Sequence, residues 1–93
     1  MSKNTPFKSR TAQCGTLESS DCLVTISESE TSHIDYRGAN AGIFRKRTEA
    51  IVKELLDESD LTSVAVSIQD NGALEVTIRA RIETAIERFL QGR

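Results

Sequence analysis

Apolar and polar positions alternate along this chain, shift to a longer period, and then alternate again. Cys22, Val24 and Ile26 take turns with Leu23, Thr25 and Ser27, a period of two that predicts a half-buried strand. The polar run Glu28-Ser29-Glu30-Thr31-Ser32 reads as a loop. From His33 to Arg37, Ile34 and Tyr36 alternate with charged neighbours, a weaker second strand closed by Gly38. Phe44, Ile51, Val52, Leu55 and Leu56 then recur at helical spacing, which predicts a helix from about Asn40, a suitable N-cap, to Ser59. Val64, Val66 and Ile68 restore the period of two. Asp70-Asn71-Gly72 supplies the left-handed backbone of a tight hairpin, and Leu74, Val76 and Ile78 answer as its second arm. Ile82, Ala85, Ile86 and Phe89 share one face of a last helix, which Gly92 follows.

The predicted order is ββαββα. Each strand offers one apolar face and each helix one apolar stripe. The expectation is therefore an α+β two-layer sandwich: an antiparallel sheet of about four strands with two helices on one face. Residues 1–14 carry Lys3, Pro6, Lys8 and Arg10 and no hydrophobic period, so they read as a flexible tail before a single domain over residues 15–93.

Composition narrows the function classes. The 93 residues suit one small domain with a shallow core, burying roughly 60–65% of the unfolded surface. A net charge of −2 gives no electrostatic case for nucleic acid or an anionic membrane. The start, Met1 to Phe7, lacks the apolar heart of a secretory signal, so a cytoplasmic protein is expected. Cys22 alternates with core residues and reads as core itself; Cys14 reads as an exposed thiol in the tail. With one histidine, His33, and no His/Cys cluster, no metal site is expected.

Candidate chemistry centres on Gly15-Thr16-Leu17-Glu18-Ser19-Ser20-Asp21. A serine between Glu18 and Asp21 at the entrance to a strand is ordinarily a solvated turn or cap residue. A hydrolase serine would need a positioned base and an oxyanion hole, and the chain has only His33 and no nucleophile elbow.

The Gly-Thr-Leu-Glu-Ser-x-Asp string, the strand after it, Asn71-Gly72-Ala73-Leu74 and Arg79-Ala80-Arg81-Ile82-Glu83 resemble, in order, the acyl carrier proteins of citrate lyase, its gamma chain. The resemblance spans roughly residues 13–90. It implies a carrier, not a catalyst. In that family the first serine of the string bears phosphoribosyl-dephospho-CoA through a phosphodiester, which corresponds to Ser19. The arm's thiol carries acetyl and citryl thioesters between the alpha and beta subunits as citrate is cleaved to acetate and oxaloacetate. The implied partners are those two subunits, the transferase that attaches the prosthetic group, and the ligase that acetylates it. The family often has glycine after the modified serine; here Ser20 stands there, a second hydroxyl and the alternative attachment point.

Two other readings stay open beside it. One is the carrier of malonate decarboxylase, which uses the same type of arm. The other is a small protein- or RNA-binding module with no arm, against which stand the acidic balance and few aromatics: Phe7, Tyr36, Phe44 and Phe89. The first helix opens with Arg45-Lys46-Arg47 and the last with Arg79 and Arg81; these read as solvated faces, or as contacts for the arm's phosphates or an acidic partner.

Overall fold

A computed structural model describes residues 10–38 and 41–92. The chain runs β1 (Thr11–Gly15), β2 (Cys22–Glu28), β3 (His33–Gly38), α1 (Ala41–Glu58), β4 (Val64–Asp70), α2 (Glu75–Gln91). The α+β class, the four strands and the two helices over one face of the sheet are as expected. The order is βββαβα, not ββαββα, and two segments account for the difference.

The first is Thr11–Gly15, all but its last residue in the expected tail, which pairs antiparallel with β2, Cys14 opposite Val24. It is an edge strand with few apolar positions, only Ala12 and Cys14 facing inward, too faint an alternation to stand out. Cys14 is accordingly a core residue, 6% exposed, and not the open thiol expected. The second is Leu74–Ile78, which is not a strand. Asp70-Asn71-Gly72 does turn the chain, with Gly72 at φ +91°, but the turn leads into α2. Ile78 is the first member of the stripe Ile78, Ile82, Ala85, Ile86, Phe89, and the three-residue alternation before it is accidental.

The sheet order is β1-β2-β4-β3. β4 is antiparallel to β2 and parallel to β3, the parallel step being bridged by α1, so the sheet is mixed where an antiparallel one was expected. Register places Cys14, Val24, Ile68 and Tyr36 in one row across all four strands, with Ile26, Val66 and Ile34 in the next. Against these rows α2 packs over β1 and β2, and α1 over β3 and beside α2, closing the core with Val52, Leu55 and Ile82. The N-cap expected at Asn40 lies outside the described residues.

Topology sets up the site. The ends of β1, β3 and β4 and the beginnings of β2, α1 and α2 all gather at one end of the sheet.

Candidate functional site: the serine loop

The β1–β2 connection, residues 16–21, is held from inside and outside. Its entry depends on Gly15, at φ +106°, where a Cβ would come within 1.9 Å of the Cys22 carbonyl oxygen. The Thr16 hydroxyl donates to Asp21 Oδ2 at 2.8 Å and accepts the Glu18 N–H at 3.1 Å. The Asp21 N–H donates to the Glu18 carbonyl at 3.2 Å, closing a β-turn with Ser19 and Ser20 at its centre.

The outer clamps come from far along the chain. Arg81 of α2 grips Asp21 with two hydrogen bonds, Nε to Oδ1 at 2.9 Å and Nη2 to Oδ2 at 3.1 Å. Such paired, charge-assisted contacts fix orientation as well as attraction. Asn71 does the rest: its carbonyl accepts the Ser20 N–H at 2.8 Å, its N–H donates to the Asp21 carbonyl at 2.9 Å, and its side-chain amide donates to the Leu17 carbonyl. Asp70 in turn braces this corner, accepting the Gly72 and Ala73 N–H groups and the buried Tyr36 hydroxyl.

Electrostatics follow the geometry. The Arg81 guanidinium, then the Thr16 hydroxyl and the Cys22 N–H, hold the Asp21 carboxyl down at about 2, against partial burial that opposes them. Burial, followed by the nearby Asp70 and Asp21 carboxylates, pushes the Cys22 thiol up to about 12, so it is no nucleophile at neutral pH.

The two candidate hydroxyls are separated in character by this frame. Ser19 sits at the first central position of the turn, exposed, and no hydrogen bond to its Oγ occurs among the described residues. Ser20 sits at the second central position with φ 64°, the left-handed region that favours glycine. The glycine often found there in the family that the sequence resembles has its physical reason in this torsion. His33 is exposed on β3, at the end of that strand remote from Gly38.

Sequence reading found the serine motif but not its clamp. Asn71 was visible as a turn residue and Arg81 as a basic residue near a helix start; their contact with residues 17–21 is made only in the folded chain. The same holds for the other basic residues. Arg79 pairs with Glu54, Arg47 with Glu75 and Arg45 with Glu49. Each of these arginines is answered by an acid of its own chain, while Lys46 stays exposed.

Comparison with known proteins agrees with this architecture. A family model described as the malonate decarboxylase delta subunit (MdcD) matches residues 9–89. The citrate lyase acyl carrier protein of Treponema denticola is 43% identical over 79 residues, covering 85% of this chain and 91% of that one. Its namesake in Clostridium perfringens is 39% identical over 79 residues, covering 83% and 78%. That of Halothermothrix orenii is 34% identical over 84 residues, covering 89% of each. Among solved structures, a chain of a Pseudomonas malonate decarboxylase hetero-tetramer in complex with malonate shares the fold, with a TM-score of 0.68 over 86% of this chain and 84% of that one at 21% identity. On this agreement in sequence and fold, the chain belongs to the family of the citrate lyase acyl carrier proteins.

Proposed function

We propose that this chain is the acyl carrier subunit of a citrate lyase, with no catalytic centre of its own, and that Ser19 is where its prosthetic arm is attached. The observation that carries the assignment is the contrast inside the turn: an exposed Ser19 hydroxyl without a hydrogen-bond partner among the described residues, on a backbone pinned by Asn71 and Arg81. An attachment enzyme needs a hydroxyl it can enclose, and a carrier needs that hydroxyl at a fixed place on its surface. Both needs are met by a rigid turn with a solvated apex.

The residues present fit a phosphodiester-linked phosphoribosyl-dephospho-CoA. The Ser19 Oγ has solvent around it, and neither Asp21 nor Arg81 has to give up its partner to admit a phosphate. When bound, the group would supply a terminal thiol as the acyl-bearing atom. Ser19 then holds the near end of the arm, while Asp21, Arg81 and Asn71 keep the anchor from drifting. Tethering raises the effective concentration of the thiol at partner active sites without any added affinity. The alpha and beta subunits, the transferase that loads Ser19 and the acetylating ligase are the partners this reading requires, all in the cytoplasm. Among the described residues no helix is long and apolar enough to cross a membrane.

A malonate decarboxylase carrier is the second reading, favoured by the description of the matching family model. The identities to citrate lyase carriers put citrate first. Intact mass with fragment mapping, on chain from citrate-grown native cells, tests the site. A single CoA-derived addition on Ser19, absent from Ser19→Ala and kept in Ser20→Ala, is expected. An addition that follows Ser20 would move the site; none, in an active complex, would end the carrier reading. Citrate cleavage or malonate decarboxylation by the co-purifying complex separates the two pathways.

A further inference from the structure

At the same end of the sheet as the serine loop, between the beginnings of α1 and α2, lies a groove of about 190 Å³. Phe44, Leu74 and Ile78 form its apolar walls, and Thr48 and Asp70 also line it. The ion pair of Arg47 and Glu75, at 3.1 Å, also borders it. Drug-sized ligands occupy roughly 300–1,000 Å³, so this groove suits a single ring system. Leu74 stands at the N-cap of α2, where Ser, Thr, Asp or Asn would cap the helix; the chain keeps an uncapped leucine there, 71% exposed. Phe44 also leaves part of its ring open, 39% exposed.

The groove lies at the same end of the sheet as the attachment point. Asn71, which binds the backbone of Leu17, Ser20 and Asp21, is followed three residues later by Leu74, roughly 10 Å of extended chain at most. We propose that this groove receives the adenine of the arm carried on Ser19, giving the arm a parked state on its own carrier. The inference rests on the carrier reading above. A phosphate and a ribose separate the serine from the adenosine. Adenine offers a flat face to the half-open Phe44 ring and the exposed Leu74 side chain. Weak affinity is sufficient, because a short tether holds its ligand at an effective concentration on the order of millimolar. The pantetheine end, beyond the adenine, stays free.

The test compares full-length chain with and without the arm, each confirmed by mass, by nuclear magnetic resonance. Parking predicts shifts of the Leu74 and Ile78 methyls and the Phe44 ring on loading, besides those of Gly15–Asp21. Millimolar free dephospho-CoA added to the bare chain should shift the same Leu74 and Ile78 signals. In loaded Phe44→Ala, those methyls should return to their bare positions and the adenine protons should sharpen. If that variant resists loading, the free-ligand titration on it and on the unsubstituted chain decides instead. An arm present on Ser19 with shifts confined to residues 15–21, and no response to free ligand, overturns the groove and leaves the carrier reading intact. A native chain bearing no arm overturns both.

Discussion

The two ends of the sheet are built differently. At the end remote from Ser19, the connections are polar and closed on themselves: the Ser29 N–H donates to the Ser63 carbonyl, and the Ser63 N–H to the Ser32 hydroxyl. Arg10 lies 4.2 Å over the Phe89 ring and pairs with Glu28, on the rim of a broad hollow of about 710 Å³. At the Ser19 end the loop is clamped by Asn71 and Arg81 from far along the chain, yet Leu17, Ile43, Phe44, Leu74 and Val76 stand exposed. These are the exposed large hydrophobic side chains among the described residues, and they border one end. The larger hollow and the exposed apolar side chains therefore lie at opposite ends of the sheet.

The comparison can be broken most forcefully at Gly15. Gly15→Ala combines a left-handed torsion with a collision against the Cys22 carbonyl, and is expected to cost roughly 3–4 kcal/mol in urea unfolding. Gly72→Ala carries the torsion alone, with open space around it, and should cost about 1–2 kcal/mol. Equal costs would mean that the close approach at Gly15 relaxes freely.

At the remote end, Arg10→Ala removes a ring contact and an exposed ion pair, for about 1 kcal/mol or less, with no change in loading of Ser19. Leu74→Ser should go the other way, raising stability by about 0.5–1 kcal/mol through a new helix cap while removing a wall of the groove. A loss of stability there would show that Leu74 is held for folding.

The mildest probe is pH. Asp21 has its carboxyl held at about 2, below its ordinary 3.8, so its contribution is complete above pH 4 and is lost as pH falls through 2. Its side-chain carbon should titrate near 2, together with the Ser20 and Asn71 amides. In Arg81→Gln the midpoint should rise toward 3.8. A midpoint unmoved by that substitution would mean that the guanidinium does not govern the loop.

How far the sequence disclosed this molecule depended on what each residue packs against. Val24, Ile26, Val66 and Ile68 announce their strands because both neighbouring strands and a helix cover them, which demands large apolar side chains at every second place. β1 is covered on one side only and makes do with Ala12 and Cys14, so its pattern dissolves into the tail. Leu74 and Val76 misled for the opposite reason: they are apolar without being core, and their alternation imitates a strand. The Ser19 motif could be located from its string of residues. Its clamp could not, since nothing local in Asn71 or Arg81 points to a loop fifty or sixty positions earlier.

That separation has a consequence for biosynthesis. Gly15 to Asp21 leave the ribosome some fifty to sixty residues ahead of Asn71 and Arg81, which give the turn its shape. A nascent or truncated chain displays the serine without the fold around it. An enzyme that recognised the clamped turn would thus inspect β4 and α2 in the same act.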